Sequence, residues 1–227
     1  MTDLAALEAL ERRVVECRKC PRLVEWREKV AREKRAAFAT EEYWGRPVPP
    51  FGDPAGRLLI VGLAPAAHGG NRTGRMFTGD RSGDWLYASM HRTGFANQPH
   101  ATSKDDGLAL IDAYITAPVR CAPPANKPTL EERDTCLNYL VRELGLLPNV
   151  TVVIALGKFA WDATLKVMAM AGEIMPRPKP MPASGAAIRS ILPRGSANTK
   201  VMPTTECPRP AGERRAARRR SRPPSRA

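Results

Sequence analysis

The chain has 227 residues, 43% hydrophobic and 26% charged, which fits one globular domain with an appendage. No run of about 18 apolar residues occurs and the N-terminus MTDLAALEALERR has no apolar signal core, which excludes a membrane-spanning helix and points to the cytoplasm. The formal net charge is +13, so polyanions are the expected partners, nucleic acid first.

The predicted elements alternate between helix and strand. Leu4, Leu7, Leu10 and Val14 recur at helical spacing over residues 3–16, with Asp3 as N-cap. A second helix runs from about Pro21 to Lys34, and Pro21 suits a first helical position. Residues 45–56 read as loop, marked by Pro47, Pro49, Pro50, Gly52 and Pro54. Residues 58–62 form a buried strand, and a Gly-rich loop follows from Ala64 to about Asp80. Ser82 caps a helix over 83–92, and residues 113–119 form a second strand. Residues 129–144 are helical behind a capping box, Thr129-Leu130-Glu131-Glu132. A third strand spans 150–156 and a further helix 158–171. This order predicts an α/β fold with a largely parallel sheet covered on both faces, and a ligand site beyond the carboxyl ends of its strands. The loops that start at Leu63 and Ala117 leave from those ends.

Composition changes near Pro180. Residues 181–227 hold ten Arg and one Lys against two Glu, have no aromatic residue, and are rich in Pro, Ala and Ser. Such a segment cannot bury enough apolar surface to offset its ordering entropy, so it reads as a disordered basic tail after a domain of residues 1–180.

Two groups of residues carry candidate chemistry. Cys17 and Cys20 form a Cys-x2-Cys pair, Cys121 follows the second strand, Cys136 lies on the next helix, and Cys207 is in the tail. Four thiolates can hold zinc or an iron–sulfur cluster, and spacing does not choose between them; inert core placement is the competing reading. In the loop from Ala64 to Asp80, four glycines allow close backbone approach, and their amides suit an anion. Arg72 and Arg75 are candidates for phosphate contacts and Phe77 for stacking on a base, against a solvated loop and a core aromatic as the bland readings. No P-loop or dinucleotide fingerprint is present.

GLAPAAHGGNRTGRMFTGD, followed by TAPVRCAPPANKP, strongly resembles the type-5 uracil-DNA glycosylases, and FGDPAGRLLIVGLAP, GFANQP and ALGKFAW extend the match over about Cys17 to Pro180. The resemblance implies a three-layer α/β/α sandwich with a central, mostly parallel sheet. It implies removal of uracil from DNA by hydrolysis of the N-glycosidic bond, leaving an abasic site, with other deaminated bases as further substrates and a monomeric enzyme. It also implies a [4Fe-4S] cluster on Cys17, Cys20, Cys121 and Cys136, with zinc the less favoured occupant.

By the same resemblance, the extruded base meets Gly62, Leu63, Ala64, Phe77 and Asn126. Backbone amides near Leu63 and Ala64 would stabilise its negative charge. Asn71 is the candidate for positioning water; Arg72, Arg75 and Lys127 are candidates for the phosphates. Thr116-Ala117 stands where related families carry a uracil-reading Asn, which implies broader base tolerance.

The sequence departs from the family in two respects. The family's C-terminal strand and helix are not recognisable after Pro180. A His-Pro-Ser motif is expected downstream of Ala171, yet the three histidines, His68, His91 and His100, all lie upstream. A frameshifted reading of a GC-rich gene is the favoured account of the tail, and a genuine DNA-binding arm is the other. Without that motif the activity is expected to be impaired. A non-catalytic iron–sulfur DNA-binding protein is the alternative function.

Overall fold

The computed structural model describes residues 2–172, 187–189 and 200–202. Helix α1 (Leu4–Val15) starts where the Asp3 carboxylate accepts the Ala6 N–H at 3.0 Å, and α2 (Pro21–Glu33) starts on its proline. A short β1 (Phe51–Gly52) precedes β2 (Leu58–Val61). The Gly-rich loop contains one turn of helix, α3 (Gly70–Thr73), and leads into α4 (Arg81–Arg92). Next come β3 (Ala113–Thr116), α5 (Leu130–Leu146), β4 (Val152–Ala155) and α6 (Lys158–Met170). Two strands close the described chain, β5 (Ala187–Arg189) and β6 (Lys200–Met202).

The sheet order is β1-β3-β2-β4-β5-β6. The three central strands are parallel, with Leu59 opposite both Tyr114 and Val153, while β1, β5 and β6 pair antiparallel at the edges. Strand alternation divides the core into two layers. Leu59, Val61 and Tyr114 face α5 and α6, where Leu137, Leu140 and Trp161 pack. Ile60 and Ile115 face α4, where Tyr87 and Met90 pack. The expected α/β/α sandwich is therefore observed. Burying each large aliphatic side chain in these layers stabilises the fold by roughly 1.5–3 kcal/mol.

Several local expectations shift. The cap of α4 is Asp80, two residues before Ser82, because its carboxylate reaches the Gly83 N–H at 3.0 Å. Pairing of β3 ends at Thr116, ahead of Pro118, which has no N–H to donate. Strand β1 lies inside the segment read as loop; two residues between prolines carry no alternation to detect. The capping box forms as expected, with Glu132 N–H on Thr129 Oγ1 at 3.1 Å and Thr129 N–H on Glu132 at 2.8 Å. Most of residues 181–227, including the expectations of disorder or a shifted frame, lies outside the described residues.

Candidate functional site

A cavity of about 530 Å³ opens at the carboxyl end of the parallel strands. Gly62, Leu63 and Ala64 after β2, Ala117 after β3 and Leu156 after β4 form its base. Phe77 and Asp80 line one side, Ser82, Trp85, Leu86 and Ser89 of α4 another, and Asn126 the rim. Parallel strands leave their outgoing loops on one edge, and that edge is where the cavity lies.

Two glycines set its walls. A Cβ on Gly62 would lie 2.7 Å from Phe77 Cζ, so only glycine lets the phenyl ring close against the strand end. A Cβ on Gly69 would lie 2.1 Å from Asp80 Oδ2, so the carboxylate rests against bare backbone there. The other oxygen of Asp80 accepts the Gly83 N–H, which fixes the group at the positive end of α4. Phe77 itself has φ +53°, a left-handed conformation unusual for an aromatic residue, and it turns the ring inward over Gly62.

The base of the cavity is a donor surface. The Gly62 N–H is spent on Thr116 O at 2.8 Å, but among the described residues the main-chain N–H groups of Leu63 and Ala64 donate to nothing. Asp80 is the one ionisable side chain among the described residues that line the cavity. Two free amides and one fixed carboxylate therefore border a space whose other walls are mostly apolar, with Ser82, Ser89 and Asn126 as the uncharged polar side chains. Such a site can hold a flat, partly anionic group on one side and stabilise positive charge on the other.

The remaining expected site residues fall elsewhere. Asn71 is fully buried on α3, and its Nδ2 donates to Arg27 O at 3.2 Å. It does not line the cavity, which corrects its assignment to positioning water; α3 turns its side chain toward α2. Arg72 is 8% exposed, bonded to Glu41, His68 O at 2.8 Å and Gly79 O at 3.1 Å, and it lies over the Phe38 ring. Arg75 is 4% exposed and grips Asp106 through two bonds of 2.8 and 2.9 Å. Both arginines spend their donors inside the protein, so neither is free for a phosphate, and their assignment to DNA contacts is corrected. Lys127 is exposed but does not line the cavity, and its carbonyl accepts Arg22 Nη2 at 3.2 Å. Thr116 turns its hydroxyl to Glu143 at 2.7 Å, away from the cavity, and leaves only the Ala117 methyl at the end of β3.

Sequence reading missed Asp80 and Trp85. Asp80 carried a signal, since an acidic residue just ahead of a helix is a cap, but Ser82 was given that place. Trp85 carried none, because its neighbours on α4 do not reveal which face is solvated.

The four cysteines gather around a second, small apolar cavity. Cys17 and Cys20 in the α1–α2 turn, Cys121 beyond β3, and Cys136 on α5 all line it. None is in a disulfide. Arg27, 2% exposed, donates to Cys121 Sγ at 3.4 Å. Burial pushes the Cys121 thiol up to about 11 and the Cys136 thiol up to about 12. Among the described residues no three His, Cys, Asp or Glu side chains converge into a site for a single ion. The thiols nonetheless share one enclosed space beside two buried guanidinium groups, Arg27 and Arg120, so the donor set suits an anionic thiolate-bound group.

Comparison with known proteins agrees with this geometry. Residues 49–219 match the family model of the uracil DNA glycosylase superfamily. The chain is similar to a type-5 uracil-DNA glycosylase of Mycobacterium bovis, with 57% identity over 162 residues, 71% of this chain and 60% of that protein. It is also similar to type-5 enzymes of Mycobacterium leprae, 54% over 173 residues and 76% of each chain, and of Thermus thermophilus, 55% over 158 residues, 70% of this chain and 71% of that one. The aligned region thus spans three fifths of the length of the Mycobacterium bovis relative.

Proposed function

The chain belongs to the uracil DNA glycosylase superfamily, among relatives of type 5, and from that membership we propose that it excises uracil from DNA in base-excision repair. One observation carries the reading: a cavity with ample room for a nucleobase that has, among the described residues, two unspent amides at its floor and one clamped carboxylate at its side.

The target nucleotide leaves the duplex and its base enters the cavity. Phe77, held over Gly62, stacks on the base. The C1′–N bond breaks with its electron pair moving to the base, and the N–H groups of Leu63 and Ala64 stabilise the resulting anion. Positive charge grows on the sugar, and the Asp80 carboxylate stabilises it and accepts a proton from the attacking water. The water oxygen bonds to C1′, which leaves an abasic site. Asp80 thereby takes the role that sequence reading gave to Asn71.

The floor at Ala117 offers no side-chain amide to read the pyrimidine edge, so we extend the substrates to other deaminated bases. The 227 residues hold no histidine after His100, and without an imidazole donor to the leaving base turnover would be impaired. Loss of one such donor typically costs about 10²–10³ in rate. We take the protein to act as a monomer on DNA in the cytoplasm; no helix among the described residues is long and apolar enough to cross a membrane. The relatives are glycosylases by name, and nothing favours the non-catalytic binder.

Cys17, Cys20, Cys121 and Cys136 are the residues we propose hold a [4Fe-4S] cluster. When bound it would act structurally, tying the α1–α2 turn to the segment after β3. Their shared lining of one small cavity, beside the buried guanidinium groups of Arg27 and Arg120, is what supports the reading. Iron and sulfide analysis of the purified protein should find both, and Cys121→Ser should lose both together with thermal stability. A colourless preparation that contains zinc overturns the assignment.

The direct test of activity is a duplex with one U opposite G, incubated with the protein and then treated with alkali. Strand scission above the no-enzyme level is expected. A folded preparation that retains this DNA without scission would overturn the proposal.

A further inference from the structure

Helix α4 has two unlike faces. Tyr87 and Met90 are buried in the core, while Ser82, Trp85, Leu86 and Ser89 recur at helical spacing along the cavity. Trp85 is 67% exposed. Among the described residues the other exposed large hydrophobic side chains are Leu4, Ile111, Leu130 and Met170, none of them aromatic and none lining the cavity. Among the described residues no ring or cation packs on the indole. An indole left in water at the mouth of a cavity adds little to folding, and its two faces remain open to a flat partner.

Phe77 and Trp85 therefore stand at two depths. Phe77 is tucked against Gly62 inside, where an extruded base would lie, and Trp85 lines the cavity at its exposed mouth. We infer that Trp85 is a positioning residue whose indole stacks on the nucleobase flanking the extruded one and holds the opened strand at the mouth. The inference rests on the proposed action on DNA. Opening the duplex at one nucleotide unstacks its neighbour, and an exposed aromatic face compensates that loss for any base, because every base has a π-face. The role is insensitive to sequence, as repair of scattered lesions requires.

Trp85→Ala and Trp85→Phe separate this role from a structural one, since a side chain this exposed contributes little to the core. In single-turnover reactions on a U·G duplex, Trp85→Ala should raise the half-saturating enzyme concentration roughly 10- to 100-fold while leaving the maximal rate nearly unchanged. Trp85→Phe should restore most of the loss. A second readout does not need catalysis. Titration with a duplex that carries one 2′-fluoro-deoxyuridine should quench tryptophan emission in the wild-type chain, and Trp85→Phe should bind the same duplex without that quench. Wild-type-like saturation by Trp85→Ala, or a quench that survives in Trp85→Phe, overturns the assignment. If the wild-type chain releases no base, the glycosylase reading fails, and the emission titration still decides the role of Trp85.

Discussion

Arg75 offers a sharp choice between two roles, because a phosphate contact and a buried strut respond to different measurements. Its guanidinium is 4% exposed and donates to both oxygens of Asp106, itself 11% exposed, at 2.8 and 2.9 Å. Nε adds a bond to Thr78 Oγ1 at 2.9 Å. Asp106 also accepts the main-chain N–H groups of Thr102 at 2.7 Å and Leu108 at 3.0 Å. Breaking such a pair by removing one partner leaves a buried charge without compensation, at a cost of about 3–5 kcal/mol. That is a large share of the roughly 5–15 kcal/mol that holds a domain folded.

Asp106→Asn and Arg75→Met should therefore each lower Tm by roughly 6–20 °C. Burial by itself pushes the Asp106 carboxyl up, but Arg75 and the N–H groups of Leu108, Thr102 and Ser103 outweigh it and hold the group well below the usual carboxylate range. A carboxyl with a depressed folded pKa stabilises above its unfolded value of about 3.9, and that contribution is lost as pH falls toward the folded value. The gap between wild type and Asp106→Asn, measured by urea unfolding, should be full at neutral pH and shrink below about pH 4. A phosphate role would leave Tm unchanged and lower the salt slope of DNA binding by about one. That second pattern would refute the structural account of Arg75.

Two further outcomes follow from the cavity walls. Gly62→Ala places a Cβ 2.7 and 2.8 Å from Phe77 Cζ and Cε2, so the ring must leave; kcat/KM on a U·G duplex should fall about tenfold or more, and combining it with Phe77→Ala should cost little extra, because the displaced ring is already gone. Asp80→Asn should lower kcat roughly 10²–10³-fold with little change in Tm, because Asn caps a helix about as well as Asp; equal loss of stability and rate would mean that Asp80 serves only the helix.

The placement of glycines around the site shows how steric allowance and chemistry are joined in this fold. The phenyl ring of Phe77 and the carboxylate of Asp80 both occupy volume that any larger residue at 62 or 69 would fill. The loop thus owes its shape less to flexibility than to two close approaches that only a hydrogen atom permits.

Local chemistry in the sequence was enough to place most helices and the central strands. Asp3, Pro21 and the Thr129–Glu132 box each act within one turn of the chain, and the apolar runs at 58–62 and 150–156 bury on both faces of a parallel sheet whatever lies further away. The location of the cavity was legible for the same reason, since parallel strands send their outgoing loops to one edge. What the loop side chains do was decided by partners distant in sequence. Arg72 meets Glu41 and Arg75 meets Asp106, each about 30 residues away, and these pairs convert apparent phosphate ligands into internal struts. Asn71 is turned inward by a carbonyl on α2, while Asp80 and Trp85 reach the cavity only because α4 packs Tyr87 and Met90 against the sheet. A helix rotates as a unit, so burial of one face fixes where the other points, and that rotation is set by the core rather than by any motif.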